Sequence, residues 1–256
     1  ISPWPKPCVP PSLPPRSAIE KRGTPHPRVA KDDPMTMVMT RLHSHAPSVS
    51  TFRVKRFELF RSLIEKVVAR KGSAHILDLG GTHDYWMSVE PLWRDFNLTF
   101  TLVNLGAEPT GDSRFTPLAG NACAMPEFAD NSFDIVHSNS VIEHVGRWKE
   151  MKQMASEIAR LAPRYYVQTP AFGFPIEPHF KTPLFHWMPM PWRIWLTRTV
   201  PLGSYPRAET LDDAMRFVED AILIDAPRFR SLFPAPARIE KERVLGITKS
   251  FIAIRD

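Results

Sequence analysis

The chain has 256 residues, 43% of them apolar, a formal net charge of +6 and two cysteines. That is enough apolar material for one sizeable core, and Cys8 and Cys123 lie too far apart, in segments of different kinds, to argue a disulfide framework or a CxxC metal site. Residues 1–34 carry six Lys/Arg against three Asp/Glu and the remaining 222 carry 27 against 24, so the surface is mixed rather than a basic stripe, and nucleic acid is not the expected partner.

In chain order, residues 1–34 hold ten prolines and little apolar periodicity, a composition that favours extended chain over a packed element. Residues 1–49 are therefore expected to be a proline-rich arm, and residues 50–256 a single domain. The opening ISPWPKPCVPPSLPP lacks the basic-then-apolar order of a secretory signal. No apolar run reaches the roughly 18–20 residues of a bilayer span, and a reducing, cytoplasmic setting is expected. Ile1 in place of a methionine suggests a trimmed or extended start, with Met35 or Met37 as natural beginnings.

From Ser50 the pattern changes. Val54, Phe57, Phe60, Leu63, Ile64, Val67 and Val68 recur at helical spacing, with Ser50 or Thr51 able to cap and Gly72 to terminate. HILDLGG then reads as a strand running into an acid and paired glycines, DYWMSVEPLWRDF as a short helix interrupted near Pro91, and LTFTLVNL as a second strand. A short strand is expected at 115–118 and another in NSFDIVHSNS. Trp148, Met151, Ala155, Ile158 and Leu161 mark a helix stopped by Pro163, and RYYVQTP follows as a strand. Strands alternating with helices predict a parallel sheet covered by helices. The stretch 171–206 interleaves seven prolines with many aromatic residues, too aromatic for a solvated linker and too proline-rich for one regular element. Two short helices are expected at 209–220 and 226–233. ARIEKERVLGITKSFIAIRD reads as two strands joined near Leu245-Gly246, necessarily antiparallel because a parallel return needs a long crossover.

Open parallel sheets bind ligands outside the carboxyl ends of their strands. The polar clusters fall there: Asp78 with Gly80 and Gly81 after the first strand, Asn104 after the second, Asn121-Ala122 after the third, and His137-Ser138-Asn139 after the fourth. A lone DLGG is also what a tight strand-to-helix turn looks like; four strand ends converging on one rim say more. A dinucleotide dehydrogenase would want GxGxxG and an acid about 20 residues on, whereas Thr82, His83 and Asp84 follow the paired glycines and Asn104 stands at the later position.

On ILDLGG at 76–81, GNACAMPEFADNSFDIVHSNSVIEHV at 120–145 and ERVLGITKSFIAIR at 242–255, the chain resembles the class I S-adenosylmethionine-dependent methyltransferases, methyltransferase type 11 in particular, over roughly residues 52–256. The resemblance implies a Rossmann-like α/β fold, a doubly wound, mostly parallel sheet with a C-terminal antiparallel hairpin, to which 171–206 would add a lid or acceptor insert. It implies S-adenosyl-L-methionine as cofactor, with Asp78, Gly80, Gly81 and Thr82 around the methionine portion, Asn104 toward the ribose, Asn121 and Ala122 over the adenine, and Ser138 and Asn139 on the rim. Asn104 and Asn121 stand where the family commonly has acids, although amide oxygens still accept hydrogen bonds.

Methyl transfer from a sulfonium is an in-line displacement that positioning can accelerate, and no metal is expected. A hydroxyl acceptor would need a base. Candidates are His137, Glu143 and His144, with Glu177 and His179 in the insert; His144 is preferred, and a helix start is the plain alternative for the IEHV stretch. The aromatic residues of the insert would stack on an acceptor or pack as a second core, and an exposed set would mark a membrane-surface or oligomer patch. A small-molecule acceptor is expected, by O-methylation of a saccharide or secondary metabolite; the alternative is a binding module that keeps the fold without turnover. Oligomeric state stays open.

Overall fold

The computed structural model describes residues 51–256; the arm expected over 1–49 and the cap expected at Ser50 lie outside the described residues. Helix α1 (Thr51–Lys71) buries Phe57, Phe60, Leu63, Ile64 and Val67 on the face the spacing predicts and ends with Arg70 and Lys71, where cations suit the negative end of the helix dipole. Strand β1 (Ala74–Leu79) follows. Its side chains alternate across the sheet, Ile76 packing with α1 on one side and Leu77 and Leu79 entering a separate core on the other.

Helix α2 (His83–Ser88) is capped by Thr82, whose Oγ1 accepts from the Tyr85 amide at 3.2 Å. A 3-10 turn at Glu90–Leu92 realises the interruption expected at Pro91. Strands β2 (Leu98–Asn104), β3 (Phe115–Ala119) and β4 (Ile135–Asn139) lead to α3 (Trp148–Leu161) and β5 (Arg164–Pro170). Trp148, placed by its spacing on the buried face, is instead 38% exposed: it is the first helical residue, and Met151, Met154, Ala155, Ile158 and Leu161 cover the sheet behind it.

The stretch 171–206 is several small pieces, as its prolines require. They are a two-strand ribbon β6 (Ile176–Glu177) and β7 (Thr182–Pro183), a 3-10 turn at Phe185–Trp187, and helix α4 (Met190–Thr199). Helix α5 (Leu211–Glu219), helix α6 (Ala226–Leu232) and the hairpin β8 (Arg238–Val244) and β9 (Ile247–Arg255) complete the chain.

The large sheet has the order β3-β2-β1-β4-β5-β9-β8. The first five strands are parallel, and β9 runs antiparallel to both β5 and β8. This is the expected Rossmann-like, mostly parallel sheet with a terminal antiparallel hairpin. The direction of winding reverses between β1 and β4, which opens a crevice at their carboxyl ends. Two cores lie on the two faces, and Phe180, Phe185, Tyr205, Ala214, Phe217 and Val218 form a third, linking the insert to α5.

One ion pair joins the first helix to the last hairpin. Arg56 donates from Nε and Nη2 to the two oxygens of Glu242, at 3.0 and 2.6 Å, and Ser250 Oγ donates to the same carboxylate at 2.7 Å. Burial alone would raise the Glu242 carboxyl, but the guanidinium and the hydroxyl outweigh it and hold it below the ordinary glutamate value. A depressed carboxylate stabilises the fold above its unfolded-state value and loses that contribution as the pH falls. Arg56→Ala should therefore cost about 1–3 kcal/mol at neutral pH. In urea titrations the gap between parent and variant should narrow as the pH drops below about 4.3; a gap independent of pH would assign the loss to packing.

Candidate functional site

The switch-point crevice is built on a single register. Asp78 of β1 lies beside His137 of β4, which lies beside Tyr166 of β5. In parallel strands such neighbours point to the same face, so an acid, an imidazole and a phenol form a row beneath α1. The row is buried, Asp78 at 1% and His137 at 2% exposure. Asp78 Oδ1 lies 2.8 Å from His137 Nδ1, and Oδ2 accepts from Trp86 Nε1 at 2.7 Å. The His137 ring stacks on Tyr166 at 5.4 Å and 6°, meets Tyr85 at 5.8 Å and 29°, and takes Phe60 edge-on. Burial is the first cause that raises both phenols, with the Asp78 charge adding to it at Tyr85.

The paired glycines are explained by this row. Gly80 has φ +78°, and a Cβ there would stand 2.4 Å from Val141 Cγ2; a Cβ on Gly81 would stand 1.6 Å from Asp78 Oδ2. The turn thus folds down onto the carboxylate at a distance only glycine permits. Asn104, at the end of β2, donates from Nδ2 to the Gly81 carbonyl, a bond that an ionised aspartate could not make. After β3, Asn121 Oδ1 accepts from the Cys123 amide at 2.9 Å and closes a tight turn that leaves Asn121 exposed and Ala122 half-buried.

The structure brings together Asp78, Gly80, Gly81, His137 and Asn139, which with Tyr85 line a small, partly open recess. Thr82 caps α2, and Ser138 is fully buried with no hydrogen-bond partner for its hydroxyl among the described residues. Asp78, expected to meet the ligand directly, has both oxygens taken by Trp86 and His137. His137, a candidate base, has Nδ1 on that carboxylate and its ring between two phenols.

Glu143 and His144 belong to a second cluster, where the loop after β4 meets the insert and the end of α5. Thr169 Oγ1 donates to Glu143 Oε2 at 2.9 Å. His144 Nδ1 faces the Asp220 carbonyl at 3.0 Å and its Oδ2 at 3.3 Å, and His144 Nε2 lies 3.1 Å from His179 Nε2. His179 Nδ1 lies 2.7 Å from Glu177 Oε1. Burial pulls the His144 imidazole down, but the Asp220 hydrogen bond and the charges of Glu143 and Asp220 raise it on balance to about 9. With Nδ1 turned to Asp220, Nε2 turned to His179 and its side chain 4% exposed, His144 presents no free nitrogen to an acceptor, so the preference for it as base is not carried forward.

Tyr85 and Asp220 had not been singled out in the sequence. Asp220 lies 76 residues from its partner His144, and no local pattern carries that pairing. The expected aromatic insert divides in two: Phe180 and Phe185 are buried and stack at 4.0 Å, whereas Trp187, Trp192 and Trp195 are 45%, 64% and 60% exposed.

Residues 97–164 match the family model described as a methyltransferase domain, methyltransferase type 11. A comparison with curated proteins finds no match. Solved structures resemble the chain remotely. A phosphoethanolamine N-methyltransferase 2 of Haemonchus contortus is 16% identical with a TM-score of 0.43, over 72% of this chain and 38% of its own length. The PH0226 protein of Pyrococcus horikoshii is 15% identical with a TM-score of 0.43, over 81% and 92%. The CMeT domain of the citrinin polyketide synthase is 12% identical with a TM-score of 0.45, over 74% and 49%. The chain thus spans less than half of the length of the Haemonchus enzyme.

If the glycine turn closes on Asp78 as described, Gly81→Ala should destabilise the protein by about 1–3 kcal/mol through overpacking. Asn104→Asp should cost about 1 kcal/mol at neutral pH through the lost donor. Urea unfolding of both variants checks this; an unchanged Gly81→Ala midpoint would mean that the turn has room the geometry denies it.

Proposed function

We infer that this chain, a class I S-adenosylmethionine-dependent methyltransferase by its sheet and by the family match over its central strands, transfers the sulfonium methyl group to a small-molecule acceptor. An oxygen on a saccharide or secondary metabolite is the favoured target. The observation that carries the reading is the recess at the β1/β4 switch point, where the Gly80-Gly81 turn, Tyr85 and Asn139 surround a floor made by Asp78 and His137.

In this reading the methionine end of the cofactor lies in the recess against the backbone of Gly80 and Gly81. Asn104 Oδ1 accepts from a ribose hydroxyl, and the Asn121-Ala122 turn covers the adenine. Asp78 acts through its neighbours: it fixes Trp86, His137 and the glycine turn. The two amides hydrogen-bond without bringing the negative charge that an acid would add near the sulfonium. Transfer needs nucleophile, methyl and sulfur in line and water kept out. His144 has both nitrogens on protein partners, His137 has Nδ1 on Asp78 and Glu143 has Oε2 on Thr169, so positioning is assigned the larger share of the acceleration.

Cys123 is free, and burial raises its thiol, which fits a cytoplasmic setting where thiols stay reduced. Among the described residues no helix is long and apolar enough to cross a membrane. The second reading, a binding module without turnover, is favoured by the engagement of His144, the preferred base, on both ring nitrogens.

Calorimetry with S-adenosylmethionine, its demethylated product and NAD tests the site. The two sulfur ligands should bind and NAD should not. Gly80→Val should abolish binding, since its side chain would strike Val141, while His83→Ala should weaken it only a few-fold, on the order of 1 kcal/mol. Equal binding by Gly80→Val and the parent would move the cofactor elsewhere. Binding without methyl transfer across a broad panel of hydroxyl acceptors would favour the module.

A further inference from the structure

The cluster of Glu143, His144 and His179 has a hydrogen-bond arrangement that its own residues do not complete. His179 Nδ1 faces a carboxylate oxygen of Glu177, and His144 Nδ1 faces a carbonyl and a carboxylate oxygen of Asp220. These partners only accept, so both Nδ1 atoms are donors, and each neutral ring carries its lone pair on Nε2. The two Nε2 atoms lie 3.1 Å apart, with the rings nearly perpendicular. Lone pair against lone pair is repulsive, and the pair requires a cation between or beside the rings.

A proton shared by the imidazoles would meet that need but not the rest of the site. Glu143 is 1% exposed, and its Oε1 has no hydrogen-bond partner among the described residues, a costly state for a buried carboxylate oxygen. One donor atom from each of Glu143, His144 and His179 lies within 4.8 Å of the other two. Three carboxylates, those of Glu143, Glu177 and Asp220, gather around the two rings. The groups that reach them are the Thr169 hydroxyl, the Phe180 amide, the Tyr205 phenol and the rings themselves.

We propose that Glu143, His144 and His179 bind a divalent metal ion of the zinc class, with Glu177 and Asp220 orienting the two imidazoles. The donor set of two imidazole nitrogens and one carboxylate is one that zinc accepts. Two nitrogens at about 2.0–2.1 Å from a tetrahedral ion stand roughly 3.3 Å apart, close to the separation seen. A carboxylate on the far nitrogen of each ligating histidine is the arrangement that fixes tautomer and ring direction in metal sites. Closing Glu143 onto the ion takes a side-chain rotation. The ion would clasp the insert, through His179, to the loop after β4, beside the rim. This assignment replaces the expectation of a metal-free protein and does not rest on methyl transfer.

The test is metal binding by the full chain. After treatment with a chelator and its removal, Zn²⁺ titrated by calorimetry should bind at one ion per chain, and Co²⁺ in its place should show the visible absorption of a low-symmetry four- or five-coordinate site. Glu143→Gln and His179→Ala should each weaken Zn²⁺ binding more than tenfold, and Asp220→Asn by about 10–100-fold. Binding of the demethylated cofactor, measured in parallel, separates failure of this site from failure of the cofactor site. A parent chain that takes up neither ion stoichiometrically has a proton or a water at the rings, and the proposal falls. Parental affinity in His179→Ala would also overturn it. Should the variants misfold by circular dichroism, the stoichiometry and cobalt spectrum of the parent decide.

Discussion

The crevice of this protein depends on one buried carboxylate. Asp78 sits under the first loop at 1% exposure, with one oxygen on the Trp86 indole and the other on His137. An ionised acid in such a place is costly unless hydrogen-bonded on both oxygens, and each bond that answers the cost also fixes an element. Trp86 ties down α2, His137 ties β4 to β1, and the space above the carboxylate is small enough that position 81 must be glycine. The Trp86 backbone carbonyl then accepts from the Trp93 indole Nε1 at 2.9 Å, so the same chain of contacts reaches the 3-10 turn before β2. The acid at the end of the first strand is therefore first a folding device, and the shape of the recess is its by-product.

That origin explains why the rim carries so little free charge. Asn104 spends its donor on the Gly81 carbonyl and Asn121 spends an acceptor on its own turn. In both places one atom of the amide organises the backbone. An aspartate at 104 would bring charge to a ribose but lose its hold on the loop. The departures of this chain from the commoner acids thus read as a different division of labour between loop and ligand.

The alternation of strand and helix, the terminal hairpin and the glycine turn were legible in the sequence because each has a local signature: period, turn residue or connection length. The partnerships of the polar residues were not. Asp78 and His137 are 59 residues apart, and only the register of β1 on β4 brings them together; registers are set by packing, which no short window contains. The same holds for His144 with Asp220 and His179. The sequence placed Glu143, His144 and His137 near one rim, correctly as a position along the strands, and could not foresee that β4 and the loop after it send them into two separate networks. Trp148 shows the smaller version of this limit: its spacing suits a buried face, but a first-turn position lies beyond the layer it would cover.

The two networks use the same parts in opposite ways. In the first, a carboxylate meets one nitrogen of His137 and aromatic rings pack against the His137 ring. In the second, Glu177 and Asp220 meet the Nδ1 atoms of His179 and His144, and the rings turn their remaining nitrogens toward each other rather than toward a hydrophobic wall. Leaving them face to face beside the bare Glu143 oxygen costs folding energy unless something positive joins them. The insert contributes His179 and its orienting Glu177 across a ribbon of two-residue strands, an element too small to hold its place by strand pairing alone. Its position is fixed by the aromatic core behind it and by this junction in front, so whatever occupies the junction also governs how firmly the insert is fastened beside the rim.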